Sequence, residues 1–171
     1  TTFKGTFDGN GKVISNLTYN NAKTNIPDGF FGTIENASIK NLTLKNFKFS
    51  DENLNSTTIG IFAGEMKGNS VLSYCTAESD IDLKDSTTPY KSYIKANTRV
   101  GGLVGYMTSG KIEYCRTNIQ LKANSVVGGL VGEVELKNGA TNNNVHIVNS
   151  YSIGNIVRSV GAVGGNFGGL V

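Results

Sequence analysis

Along this chain, apolar residues come in short alternations with polar ones, each a strand's length, set apart by glycine, asparagine and polar turns. The punctuation repeats. Gly101-Gly-Leu-Val-Gly105 recurs as Gly128-Gly-Leu-Val-Gly132 and begins again at Gly168, with looser copies at Asp28-Gly-Phe-Phe-Gly32 and Gly60-Ile-Phe-Ala-Gly64. The closing glycines of these four copies, Gly32, Gly64, Gly105 and Gly132, lie 32, 41 and 27 residues apart, so the shortest interval is nearest the bare unit. A second apolar element follows each block: Ile39–Leu44, Leu72–Ala77, Ile112–Thr117 and Ile147–Ser152, with a further copy at Ile14–Tyr19. A third follows as Asp80–Leu83, Asn118–Leu121 and Gly154–Val157.

Three strand-like segments per repeat predict an all-β chain, a parallel β-helix (a right-handed β-solenoid) of about five coils stacked at about 4.8 Å. Phe31, Ala63, Val104 and Val131 would then form one inward ladder, and Ile39, Leu72, Ile112 and Ile147 another. Residues 1–171 read as one repeat domain. A leucine-rich repeat competes through Ile39-x-x-Leu42-x-Leu44, but later copies carry Cys, Ser or Tyr at those positions and no helical segment follows. Ser50–Thr58, Lys84–Thr98 and Leu136–Val145 are polar and variable in length, and are expected to be loops leaving the coils. Lys84–Thr98 carries Tyr90 and Tyr93 among lysines and reads as a solvated insertion, with contact to a host protein or glycan as the alternative.

Composition agrees with this picture. The 171 residues include 22 Gly, two Pro and no Trp, which suits tight turns and disfavours helices. The net charge of +3 is spread over scattered lysines, unlike the clustered basic face of a nucleic-acid binder. No apolar run approaches the roughly 18 residues of a membrane helix. The start at Thr1 without a signal peptide and the stop partway through a motif at Gly168 suggest a piece of a longer protein.

The opening Phe3-Lys-Gly-Thr-Phe-Asp-Gly-Asn-Gly-Lys-Val-Ile-Ser-Asn-Leu17 resembles the start of bacterial GLUG-motif regions. The Gly-Gly-Leu-Val-Gly blocks with Asn149-Ser-Tyr-Ser-Ile-Gly-Asn155 are similar to the GLUG motif itself. Gly29–Leu44 further resembles the N-terminal region of streptococcal immunoglobulin-A-cleaving zinc metallopeptidases, and similar modules occur in large adhesins. The resemblance implies a β-helical, extracellular, non-catalytic module. The zinc-protease signature His-Glu-x-x-His is absent from this segment, so the resemblance carries no peptidase activity over to it.

Few residues are candidates for chemistry. Cys75 and Cys115 occupy one slot of adjacent units, where Leu42 stands one unit earlier; a reduced core pair and a disulfide are both open. Two cysteines and one histidine cannot complete a structural zinc site. His146, in Val145-His-Ile-Val148, reads as a surface strand residue. Asp80 and Asp82 alternate by two and would share a face, but they read as a solvated edge rather than a glycosidase pair. Asp8 and Asp28 sit beside glycines in turns. Asn16, Asn36, Asn41 and Asn55 begin Asn-x-Ser/Thr triplets, and Asn16 and Asn41 are assigned to the slot of Asn149 as a bend-forming stack. No catalytic, metal or cofactor residue is named. The expected function is a non-catalytic scaffold or adhesion module of a bacterial surface or secreted protein. The alternatives are a substrate-recognition module of an immunoglobulin-A-cleaving metallopeptidase and a carbohydrate-active β-helix enzyme.

Overall fold

The computed structural model describes residues 1–19, 26–50, 58–86, 89–96, 98–136, 144–158 and 165–171. Within them the chain is all-β and has no helix. Its strands assemble into four ladders in which every pairing is parallel. The first ladder stacks Thr2–Phe3, Thr33–Glu35, Ala63–Lys67, Val104–Met107 and Val131–Val134. The second begins with two long strands, Thr6–Ser15 and Ser38–Lys45. On later passes each is replaced by a pair: Val71–Ser73 and Thr76–Glu78, Gly110–Glu113 and Arg116–Asn118, Val145–Val148 and Tyr151–Ser152. The third stacks Thr18–Tyr19, Lys48–Ser50, Tyr93–Ala96, Gln120–Ala123 and Asn155–Arg158. The fourth stacks Thr58–Gly60, Arg99–Gly101, Val126–Gly128 and Phe167–Gly168, and Asp28 extends it by a bridge to Ile59. The chain visits the ladders in the same order on every pass.

The repeat therefore has four ladders per pass rather than three strands. The Gly-Gly-Leu-Val-Gly block is not one strand but a corner. Gly101 closes a fourth-ladder strand, and Val104 opens the next first-ladder strand. Close approach, not positive φ, makes glycine obligatory here: a Cβ on Gly101 would lie 1.8 Å from the Val104 carbonyl oxygen, and one on Gly105 would lie 2.6 Å from the Ile59 nitrogen.

The register follows the repeat elsewhere. Val104 pairs with Ala63 and Val131, Ile112 with Leu72 and Ile147, and Leu72 with Ile39. Aliphatic side chains and methionine fill several inward columns outright, as in Ile34–Met66–Met107 and Ile59–Val100–Val127, all fully buried. Each such side chain contributes about 1.5–3 kcal/mol on burial.

Two further expectations are overturned. Ile14 pairs with Leu44, whereas Phe7 pairs with Ile39. A bulge between Asp8 and Lys12 sets Gly9, Asn10 and Gly11 opposite Asn41 alone, so the likeness of Ile14-Ser-Asn-Leu-Thr to Ile39-Lys-Asn-Leu-Thr misaligns the strand. Second, Asp80–Leu83 is not the third-ladder strand of its pass. That strand is Tyr93–Ala96, inside the expected Lys84–Thr98 loop, where Ile94 pairs with Phe49 and Leu121 and is fully buried. Leu83 is 90% exposed, and Ile81 and Tyr90 close an antiparallel arm that leaves the ladders. Most of Ser50–Thr58 and of Leu136–Val145 lies outside the described residues.

Candidate functional site

The second ladder bends once per pass at a residue with left-handed backbone. Asn41, Tyr74, Tyr114 and Asn149 occupy this column with φ of 55°, 52°, 52° and 49°. The bend turns the following residue inward, giving the column Leu42, Cys75, Cys115 and Ser150 beneath it. Asparagine tolerates this conformation through its short polar side chain, whereas a bulky residue there is a genuine outlier. The two tyrosines nevertheless hold it. Their rings stack at 4.9 Å with planes 4° apart, and they are 58% and 49% exposed. Core packing does not explain them. Backbone strain of about 1–3 kcal/mol per residue gathers at functional sites.

Around the stack the groups are polar. Arg116 reaches back along the ladder, its Nη2 3.2 Å from Glu78 Oε2 and its Nε donating to Thr76 Oγ1 at 3.4 Å. Lys111 pairs with Glu113 at 2.6 Å. Tyr151, in register with Arg116 on the next pass, is 48% exposed. The strip thus carries a third exposed tyrosine while its charges cancel in pairs.

A second polar cluster lies on the outer face of the first ladder, where Glu65, Tyr106 and Glu133 are in register. Arg99 lies 4.9 Å from the Tyr106 ring centroid and bonds Glu133, while the Tyr106 hydroxyl donates to Glu135. Loss of solvent, then the Glu135 carboxylate, push the Tyr106 hydroxyl up to about 12. Glu65 accepts from Thr33 and pairs with Lys67. Each of these acids is engaged by a cation or a hydroxyl.

The residues singled out from the sequence fall at separate places. Cys75 and Cys115 stack in register as free, buried thiols, the Cys75 N–H donating to Cys115 Sγ at 3.4 Å. The neighbouring Cys115 thiol, then burial, hold the Cys75 thiol far above its ordinary value. His146 is exposed and in register with Lys111, beside a shallow cleft of about 240 Å³ also lined by Asn69, Ser70 and Asn144. Asp80 binds Lys45 at 2.7 Å and Asn46 at 3.0 Å, while Asp82 accepts from the Lys84 backbone in a turn, so the two serve different contacts. Hydrogen bonds from Asn46 and Lys45 hold the Asp80 carboxyl below its usual value. Asp8 is held low by the Asn10 backbone N–H, then by Asn41 and Lys40. Asp28 is buried, with its backbone in the fourth ladder. Asn16 aligns with Asn46, not with Asn41 and Asn149, because of the same bulge. Asn36 has left-handed backbone and accepts from the Asn69 N–H; Asn55 lies outside the described residues. Among the described residues no three His, Cys, Asp or Glu side chains gather as a metal set, and no helix is long and apolar enough to cross a membrane.

Sequence reasoning missed the tyrosine strip and the Arg99–Tyr106 cluster. The signal was available: Tyr74 and Tyr114 each precede the repeated cysteine, and Tyr106 and Glu133 share the offset of Val104 and Val131.

Comparison with known proteins adds one similarity. Over 113 residues, 66% of this chain, it is 32% identical to halomucin of Haloquadratum walsbyi. The chain spans about 1% of the length of that protein. No protein-family model matches the chain, and no solved structure matches it.

Proposed function

We propose that the successive passes close into a right-handed β-solenoid, and that this rod is a non-catalytic, extracellular scaffold and adhesion module. It spaces other domains or presents the segments that leave its ladders. One observation carries the reading: five passes stack in register through parallel ladders, while the variation in unit length falls between strands. Each pass can bury its apolar face only against its neighbours, so the array is a structural unit before it is anything else. The similarity to a small part of halomucin, and the likeness of the glycine blocks to GLUG-motif regions, support a repeat module of a larger surface or secreted protein. Because halomucin comes from a halophilic archaeon, the bacterial source expected from the sequence is not carried into this reading. Asp8 and Asp80, both held in their ionised form by amide, backbone and lysine donors, suit surface ion pairs rather than proton transfer.

Far-UV circular dichroism should show a β-dominated spectrum with no helical signature. Incubation with polysaccharides should release no reducing ends. A helix-dominated spectrum would refute the solenoid, and enzymatic cleavage would refute the non-catalytic reading.

A further inference from the structure

We infer that the tyrosine-lined outer face of the second ladder is a binding track for a neutral polysaccharide, an inference that rests on the adhesion reading above and names its ligand class. Tyr74 and Tyr114 occupy a bend where the backbone favours asparagine or glycine, and the pass before and the pass after carry asparagine there. The rings are exposed, so their contribution to the core does not account for this choice.

Their orientation suits a sugar. The 4.9 Å stacking distance matches the spacing between neighbouring strands, so the rings are stacked along the ladder axis. The outward face of Tyr74 looks toward Asn41, and that of Tyr114 toward Asn149. Asn41 is short, and its amide is turned to Asp8. Each end of the stack therefore offers an aromatic face against which the C–H side of a pyranose can lie, and Tyr151 supplies another ring one pass on. Beside the rings, Arg116, Glu78 and Thr76 form a hydrogen-bonded row that can donate to and accept from sugar hydroxyls.

Charge narrows the ligand. Arg116 is matched by Glu78 and Lys111 by Glu113, so the strip has no net charge with which to attract a polyanion. Beside the rings Thr76, Glu113 and Arg116 are polar, and the apolar side chain exposed in register with Glu113 is Val148. A protein hot spot needs an apolar anchor in a desolvated pocket, and the strip has none.

The test is affinity electrophoresis of the chain through gels holding hydroxyethylcellulose, a soluble β-glucan or a galactomannan, with alginate as the charged counterpart. The variant is Tyr74→Asn with Tyr114→Asn, which places in both slots the residue that neighbouring passes already use and so leaves the bend intact. The chain should be retarded in at least one neutral gel and not by alginate. The double variant, with an unchanged circular dichroism spectrum, should lose most of that retardation. No retardation in any neutral gel, equal retardation of the variant, or retardation by alginate alone would overturn the track. Circular dichroism and reducing-end release on the same samples separate the two readings. A β-folded chain that neither binds nor cleaves sinks the track and leaves the scaffold, whereas a chain that binds and cleaves does the reverse.

Discussion

Replacing Gly101 by alanine tests the corner that sets the repeat. The added Cβ would stand 1.8 Å from the Val104 carbonyl oxygen and 2.6 Å from the Gly132 nitrogen. Both are backbone atoms, so no side-chain rotation relieves the clash, and the Val104 peptide must move by more than about an ångström to restore van der Waals contact. The backbone just before that carbonyl is tied on both sides. Leu103 N–H and Val104 N–H both donate to Leu130 O at 2.8 and 3.1 Å, and Leu103 O accepts from Phe62 N–H at 2.9 Å. Overpacking costs about 1–3 kcal/mol, and each ladder bond lost about 1 kcal/mol, so the substitution should destabilise by about 3–5 kcal/mol. At about 2–4 °C per kcal/mol for a chain of this size, the melting temperature should fall by about 6–20 °C. Gly169→Ala is the matched control, because nothing lies within 4 Å of its Cβ. It should shift stability by no more than about 0.5 kcal/mol. Circular dichroism melts of the three proteins give the comparison. If Gly101→Ala melted with the parent, or Gly169→Ala fell as far as Gly101→Ala, close approach would not be the reason for glycine at the corner.

Three further outcomes are expected. Cys75 and Cys115, buried and with the Cys75 thiol held in its protonated form, should resist a thiol reagent at pH 8 in the native chain and react fully in guanidinium; rapid native labelling would contradict the buried column. Thr117→Val removes the hydroxyl that donates to Gly129 O at 2.8 Å and leaves that carbonyl short of a partner, so urea titration should show a loss of about 1–2 kcal/mol, with Thr117→Ser closer to the parent. The Asp80 carboxyl has a lower pKa in the folded chain than in the unfolded one. Its contribution is therefore present above the unfolded value near 3.9 and is lost as pH falls through the folded value. Melting temperatures taken downward from pH 5 should drop more steeply for the parent than for Asp80→Asn, and parallel profiles would dissociate Asp80 from acid stability.

The glycine blocks made much of this architecture legible before any coordinates, because a residue forced by backbone contact recurs at a fixed place in each turn of the chain. Gly101 and Gly128 pair as their motifs align, and the pairing carries Val104, Val131 and the two cysteines into place. Side-chain likeness was a poorer guide. Ile14-Ser-Asn-Leu-Thr resembles Ile39-Lys-Asn-Leu-Thr, yet a three-residue bulge upstream puts Ile14 opposite Leu44. Polar alternation misled in the same way at Asp80–Leu83: the pattern of a strand is present, but the inward position of that pass is filled by Ile94, thirteen residues later. Neither error is visible without knowing which apolar residue finds the core. Burial is decided between passes, not within one.

The bend column shows why the candidate site was the least legible part. At Asn41, Tyr74, Tyr114 and Asn149 the backbone is fixed by the ladder, and the next residue must point inward. The side chain at the bend projects outward and takes no part in that constraint. Fold and surface are therefore separately encoded in adjacent residues: the inward residue answers to packing, and the outward one only to whether it tolerates left-handed backbone. Asparagine satisfies the second condition at little cost, so its presence says nothing about function. Tyrosine satisfies it only against a steric penalty, and two tyrosines doing so on consecutive passes, with their rings in contact, place that penalty where a ligand can offset it.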